Sequence, residues 1–170
     1  MIALKILDIK DFMNRLLIGD DFDGYCLVEA SITTFCRFSI DGKIERNYFD
    51  TDSEKLLEQK HMQYTPWKQV KNRITSVIRG KRTPLSFHIV LQLPWHQTEA
   101  FSEKIRQLYS APKVSSLVIN LHYKNQELLL TNGLSMDTFF PDKAPEHLWD
   151  SATQEFLREH RILFENLTLS

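Results

Sequence analysis

The sequence predicts an α+β protein built of two tandem βαβββα repeats, with antiparallel or mixed sheets packed on helices. Two patterns lead to this class: apolar residues alternate in several short segments, and they recur at helical spacing in four others. A third observation is that the order of elements in residues 1–80 returns in residues 84–165. We therefore predict one domain, residues 1–170, that contains two pseudo-repeats.

The first two elements are a strand and a helix. Residues 1–7 carry alternate apolar side chains, as a half-buried strand does. Asp8 is a predicted N-cap, because its carboxylate can accept hydrogen bonds from the free amides of a first helical turn. Apolar residues then recur at helical spacing, and Gly19 is the predicted helix end.

A long alternating stretch follows. Residues 25–40 alternate throughout, which is long for one strand, so we expect a break near residues 31–34. Asp41 and Gly42 predict a tight hairpin turn, because both residue types tolerate positive φ. Residues 43–49 then return as the next predicted strand.

The first half closes with a helix. Residues 51–64 are polar and predict a loop with a helical turn. Thr65 and Pro66 predict a helix start, since a hydroxyl can cap the first turn and proline fits where no amide donor is needed. An apolar stripe at helical spacing runs through residues 66–79, and Gly80 ends it.

The second half gives the same order of elements. They are a strand over 84–93, a helix capped by Thr98, strands over 117–123 and 127–131, a turn at Asn132 and Gly133, a strand over 134–140, and a helix opened by Pro145. Phe49 and Phe140 each lie seven residues after the glycine of the corresponding predicted turn. This agreement of elements in order is the basis of the predicted repeat.

The βαβββ unit, occurring twice, resembles the domain unit of DNA sliding clamps. The resemblance implies sheets on the outside and helices on the inside. The chain departs from clamps because their inner helices are rich in lysine and arginine, whereas acids stand in both corresponding helices here. The helices predicted at 66–79 and 145–160 are also not part of the clamp unit.

Four stretches of the chain are distinctive. They are MIALKILDIKDFMNRLL, EASITTF, RGKRTPLSF and the pair of Trp149 and Asp150. On these stretches the whole chain resembles an uncharacterised bacterial family of about this length. The resemblance implies no activity, substrate or catalytic residue.

Composition narrows the class of protein. With 42% hydrophobic and 25% charged residues, the chain is typical of a soluble globular protein. The net charge of −1 excludes a strong whole-molecule field for nucleic acid, so such binding would need a local patch. No apolar run is long enough for a signal peptide or a membrane span, so we expect a cytoplasmic protein without a membrane partner. Cys26 and Cys36 share the inward parity and are predicted to be small core residues.

The sharpest local feature is the acid-free segment PWKQVKNRITSVIRGKR, residues 66–82. Its cations are Lys68, Lys71, Arg73, Arg79, Lys81 and Arg82. In a structural interpretation, cations suit the last turn of a helix, and this segment meets the acidic final third of the chain or of a second copy. In a functional interpretation, the segment contacts phosphate in a nucleic-acid backbone or another anionic ligand. No aromatic side chain is interleaved with these cations to stack bases.

A second candidate site is a pair of histidines. His88 and His122 each lie on the parity opposite the apolar side chains of their strands. If those strands are neighbours, the two imidazoles face each other with Ser86 and Asn120 nearby. Such a group could serve acid–base chemistry or hold a metal, but two histidines on a wet sheet face are the simpler interpretation.

No motif of a known catalytic class is present: the sequence lacks a Walker loop, a GxGxxG loop, a GxSxG elbow and zinc-ligand spacing. We therefore expect a non-enzymatic interaction or binding module, without metal or cofactor, whose basic helix contacts a protein or anionic partner or a second copy in a homodimer. The alternatives are a clamp-like nucleic-acid accessory protein and a small-ligand enzyme that uses His88 and His122.

Overall fold

The computed structural model describes residues 1–169, and this part of the chain forms five α-helices and one eight-stranded antiparallel sheet. The predicted α+β class is confirmed. The helices are α1 (Ile9–Leu17), α2 (Thr51–Gln59), α3 (Trp67–Ile78), α4 (Trp95–Tyr109) and α5 (Ala144–Glu159). The strands are β1 (Ala3–Ile6), β2 (Cys26–Thr33), β3 (Arg37–Asp41), β4 (Thr65–Pro66), β5 (Ser86–Gln92), β6 (Val114–Lys124), β7 (Glu127–Met136) and β8 (Phe164–Asn166).

The sheet interleaves strands from both halves of the chain. Its order is β3-β2-β5-β6-β7-β1-β8, and β4 pairs with β2 beside this path. Strand β1 thus lies between β7 and β8. The next strand along the chain, β2, is separated from β1 in the sheet by β5, β6 and β7, and α1 lies in the connection between β1 and β2. None of the helices in residues 1–169 is long and apolar enough to cross a membrane.

The core lies on one face of the sheet. Alternate residues of the strands are buried there, namely Leu4, Ile6, Leu27, Ala30, Ile32, Phe87, Ile89, Leu91, Leu117, Ile119, Leu121, Leu128 and Leu130. The helices supply the facing layer with Phe12, Leu16, Trp67, Ile74, Ile105, Trp149 and Leu157. Each fully buried side chain of this size contributes about 2 kcal/mol relative to exposure. The other face of the sheet carries the alternate residues, which are mostly polar and partly exposed.

The predicted turn at Asp41 and Gly42 is wrong. The chain turns at residues 34–36, just beyond the predicted break, where the Thr34 amide donates to the Cys36 carbonyl at 2.9 Å. Gly42 serves another purpose: a Cβ there would lie 1.9 Å from the Leu27 carbonyl oxygen, so only glycine fits this close backbone approach.

The segment that follows is helical. A 3₁₀ turn at Arg46–Tyr48 replaces the strand predicted over residues 43–49. In this segment Lys43 forms an isolated bridge with Tyr64. Cys36, at the end of the preceding turn, is exposed, whereas Cys26 is half-buried, so the prediction of two core cysteines is also wrong.

The predicted turn at Asn132 and Gly133 is wrong as well, because β7 runs through both residues without interruption. Asn132 is fully buried, accepts a hydrogen bond from the Ile2 amide at 3.0 Å and donates one to the Thr153 hydroxyl at 3.0 Å. It therefore joins β1, β7 and α5. The Asn-Gly dipeptide favours a turn, but here Asn132 is required for an internal hydrogen-bond network.

The internal repeat stays a prediction. Strand β5 lies between β2 and β6, whereas its counterpart β1 lies between β7 and β8, so the two halves occupy different positions in the sheet. The two Asx-Gly turns that suggested the repeat do not form. The clamp resemblance likewise remains a prediction.

Replacing Asn132 by alanine should lower the free energy of unfolding by about 3 kcal/mol, because the Ile2 amide is then buried without an acceptor and Thr153 loses a donor. Asn120→Ala is the matched control, since Asn120 lies on the open face of the adjacent strand and should change stability by less than about 0.5 kcal/mol. Urea unfolding measures both. Equal small effects would contradict the assigned network.

Candidate functional site

Helix α3 is fixed to the core along one stripe. Trp67, Ile74 and Ile78 recur at helical spacing and are buried against the sheet. The Trp67 indole donates a hydrogen bond to the Leu16 carbonyl at 2.9 Å, at the end of α1. These contacts determine which side of α3 faces outward.

The outer side of α3 carries only uncharged polar and basic side chains. The exposed residues are Lys68, Gln69, Asn72, Arg73, Ser76 and Arg79. The loop that follows α3 adds Lys81 and Arg82, which are also exposed. We call the set of Lys68, Arg73, Arg79, Lys81 and Arg82 the basic face.

Lys71, which sequence analysis grouped with these cations, does not belong to the basic face. It is 8% exposed, and its ammonium group lies 2.6 Å from the Asp23 carboxylate and 2.7 Å from the Gly19 carbonyl oxygen. Lys71 follows Trp67 by four residues and precedes Ile74 by three, so it borders the buried stripe. Its cation ties α3 to the loop between α1 and β2.

The five cations of the basic face have no salt bridge to an acidic side chain within residues 1–169. Arg79 contacts the side-chain oxygen of Asn14, and Arg73 donates to the Gln69 carbonyl of its own helix at 3.4 Å. The predicted pairing with the acidic final third of the same chain is not found in the described residues. These acids are Asp142, Glu146, Asp150, Glu155 and Glu159.

The structure brings the predicted histidine group together. His88 and His122 are direct cross-strand partners on β5 and β6, with ring centroids 5.9 Å apart. Ser86 and Asn120 lie on the same open face, each one pleat away. Ser31 and Leu129 flank the pair in the same row of the sheet. Among the described residues, no group of three or more histidines, cysteines or acids could hold a metal ion.

One cleft of the structure was not predicted from the sequence. It has a volume of about 1050 Å³ and opens at the end of β2 that carries Cys26, away from the histidine pair. Burial raises the pKa of the Cys26 thiol. Within the cleft wall, the His61 imidazole stacks on the Trp95 indole, with ring centroids 4.2 Å apart. The lining comes from segments scattered over the chain, so no local pattern could indicate it.

Most charged groups in this cleft are internally neutralised. Three ion pairs contribute to its lining: Asp23 with Lys71, Arg46 with Glu58, and Glu99 with Lys113. The cleft therefore contrasts with the basic face, where the cations are not matched by acids. Of these two sites, the basic face carries the larger number of cations that are not paired with an acid in the described residues.

The chain is thus an α+β protein in which one of the helices packed on the sheet, α3, is basic and contains no acid. The chain belongs to the family of unknown function DUF5721, whose family model matches residues 15–165. This confirms the resemblance to an uncharacterised family along the chain. Searches of curated proteins and of solved structures found no significant match.

Lys71→Met should lower the free energy of unfolding by about 3 kcal/mol, because it leaves the Asp23 carboxylate and the Gly19 carbonyl without their donor in a largely buried site. Lys68→Met makes the same chemical change one turn earlier on the exposed side and should alter stability by less than about 0.5 kcal/mol. Denaturant unfolding measures both. Equal effects would mean that Lys71 does not anchor α3.

His61 and Arg161 offer a matched pair of glycine substitutions. Both follow a helix end in the left-handed region, with φ of 50° and 55°. Arg161→Gly should raise the free energy of unfolding by about 1 kcal/mol, because glycine adopts this conformation without strain. His61→Gly should gain less, since it also removes the stack on Trp95, worth about 0.5 to 1.5 kcal/mol.

A double-mutant cycle checks this difference. In a Trp95→Leu background the stack is already absent, so His61→Gly and Arg161→Gly should stabilise the protein equally. Thermal or urea unfolding provides the free energies. A difference that persists in that background would show that the stack is not its cause.

Proposed function

We propose that this protein is a non-enzymatic, cytoplasmic binding module that contacts an anionic partner through the basic face. The observation that carries the proposal is that five exposed cations lie together without a salt-bridged acid in residues 1–169. Other lysines without a salt bridge, such as Lys55 and Lys104, directly follow acids in the sequence, Glu54 and Glu103, whereas the segment of the basic face contains none. A protein of net charge −1 thus concentrates uncompensated positive charge on one side.

Helix electrostatics alone does not account for this face. Arg79 stands at the C-terminal end of α3, where a cation is favoured by the unpaired carbonyls. Lys68 stands in the first turn, where a cation is disfavoured and an acid would be expected, and that turn contains no acid. The mid-helix Arg73 gains from neither end. A partner that supplies negative charge would compensate all three.

The uncharged residues beside these cations also suit contact with an anionic partner. Gln69, Asn72 and Ser76 lie between the cations on the exposed side of α3. Amide and hydroxyl side chains next to lysine and arginine are common contacts to phosphate and sugar groups. The combination supports a phosphate-bearing or otherwise polyanionic partner.

A clamp-like arrangement, in which several helices line one nucleic-acid channel, draws no support from α3, because a helix at this place is not part of the clamp unit. Helix α1 carries Asp11, which pairs with Arg15, and α4 carries Glu99 and Glu103, which pair with Lys113 and Arg106. Contact through the α3 side is therefore the form of the proposal that we favour. Homodimer formation stays a prediction, and a solution mass of twice 20.0 kDa would establish it.

The proposal predicts binding to inorganic polyphosphate and to double-stranded DNA that weakens steeply with salt. The log–log slope should be about 0.9 per DNA phosphate contacted. Changing Lys68, Arg73, Arg79 and Arg82 together to serine should abolish this binding, because four of the five cations of the basic face are then removed. Fluorescence anisotropy with labelled ligands over a salt series measures the affinity and slope.

The control variant changes Lys55, Lys60, Lys104 and Lys143 to serine. These lysines are exposed and lie outside the basic face, so the control makes the same change in net charge. It should retain most of the affinity. Equal losses in both variants, or no binding at low salt, would overturn the proposed function.

A further inference from the structure

We propose that the anionic partner is a single-stranded nucleic acid, whose backbone follows the basic face and one of whose bases stacks on Phe35. This inference rests on the proposed function and adds the partner's class and a stacking residue. The aromatic residue of segment 66–82, Trp67, is buried in the core, so this segment supplies no exposed aromatic side chain. The tertiary structure supplies one from a different segment.

Strand pairing places Phe35 at the C-terminal end of α3. The Trp67 amide donates to the Tyr25 carbonyl at the start of β2, and α3 packs along that strand. Beyond the end of α3, the Leu85 amide donates to the Thr33 carbonyl at 2.9 Å. Phe35 is in the turn that begins after Thr33, and Leu85 ends the loop that carries Lys81 and Arg82, so this hydrogen bond brings the turn and the loop to the same end of the sheet.

A further cation belongs to this end of the sheet. Arg37 pairs in register with Thr33, which pairs in turn with Ser86. Arg37 is exposed and has no salt bridge in the described part of the chain. The turn and the neighbouring loop, residues 34–37 and 79–85, contain no acid. Arg37 and the neighbouring loop thus supply positive charge, without an acid, to the end of the sheet that carries Phe35.

The Phe35 ring is available for stacking. It is 93% exposed, and Phe38 approaches it edge-on, with ring centroids 5.9 Å apart and planes at 87°. An exposed phenylalanine contributes little to folding, because its apolar surface stays in water. A base laid on the ring would remove that surface from water, and base–aromatic stacking is tolerant of base identity.

The dimensions of the surface suit a short strand. Lys68 and Arg79 lie eleven residues apart on the same side of α3, a distance of about 16 Å along the helix axis. This corresponds to about five nucleotides at a stacked spacing of about 3.4 Å. A strand along α3 would reach the turn at its C-terminal end, where Phe35 stands.

A single strand fits better than a duplex or a membrane. Bases in a duplex are already stacked on each other, so Phe35 could not take one without disrupting the helix. An anionic membrane would be contacted through the exposed tip, where Leu85 is also 71% exposed. In that arrangement Lys68 and Arg73 would lie along α3 away from the lipid, and their uncompensated charge would stay unused.

The test is binding of fluorescently labelled single-stranded DNA and RNA 20-mers, and of the matching DNA duplex, to the full chain. Phe35→Leu keeps an apolar side chain but removes the aromatic face, and it should weaken single-strand binding about tenfold without changing the salt slope. Phe35→Trp should bind at least as tightly as the unmodified protein. Duplex binding should be weaker and should not respond to Phe35→Leu.

Phe139→Leu is the matched control. Phe139 is 90% exposed in the loop before α5. The Asp137 amide of that loop donates a hydrogen bond to the Lys113 carbonyl beside the cleft, away from the basic face. This substitution should leave single-strand binding unchanged. Because Phe35 and Phe139 are both exposed, neither variant should change the thermal unfolding temperature, which checks that both remain folded.

Other outcomes separate this inference from the proposed function. If Phe35→Leu binds single strands normally while the quadruple serine variant of the basic face does not, stacking is refuted and the anionic contact stands. If no nucleic acid, polyphosphate or vesicle with anionic lipid binds at low salt, both proposals fail. If only vesicles with anionic lipid bind, and Phe35→Leu and Leu85→Ser together abolish that binding, the partner is a membrane and the nucleic-acid inference is overturned.

Discussion

One antiparallel sheet buries one of its faces beneath four helices, and the rest of the structure depends on this one-sided burial. Every long strand must place its large apolar residues on the same side, as Ile32, Ile89 and Leu121 do on β2, β5 and β6. Each helix must in turn direct one apolar stripe at the sheet. Their remaining sides face solvent, so the surface chemistry of each helix is free of the requirements of the core.

Helix α3 is the element on which this freedom has the clearest consequence. The Trp67 indole bonds to α1, and the Lys71 ammonium bonds to Asp23, so the helix is held at several points along its inner side. The cations of the basic face, on the outer side of α3, do not need to pair with acids of the same chain for the helix to stay in place. Positive charge that would be neutralised in an interior remains available at the surface, and the turn holding Phe35 adds an aromatic ring at one end.

Periodicity predicted the core well because burial on one face imposes it directly. The alternation of β5 and β6 and the stripes of α3 and α5 appear as expected. In β2 a bulge between Leu27 and Glu29 shifts the alternation, so Leu27 is buried instead of the predicted Cys26 and Val28. Turn chemistry failed at Gly42 and Asn132, because each residue meets a requirement that lies elsewhere in the chain. Gly42 admits the Leu27 carbonyl, and Asn132 binds Ile2 and Thr153. The tendency of a dipeptide to form a turn contains no information about such contacts with residues elsewhere in the chain.

The fold class, the buried stripes and the acid-free segment that includes α3 can be predicted without coordinates, because each follows from residue type and local spacing. The tertiary structure alone decided that Lys71 is internal, since a cation at the border of a stripe can face either way until Asp23 is placed. It also decided that His88 faces His122 and that the turn of Phe35 lies at the same end of the sheet as the loop of Lys81 and Arg82. Those neighbours come from separate segments, and only strand pairing brings them together.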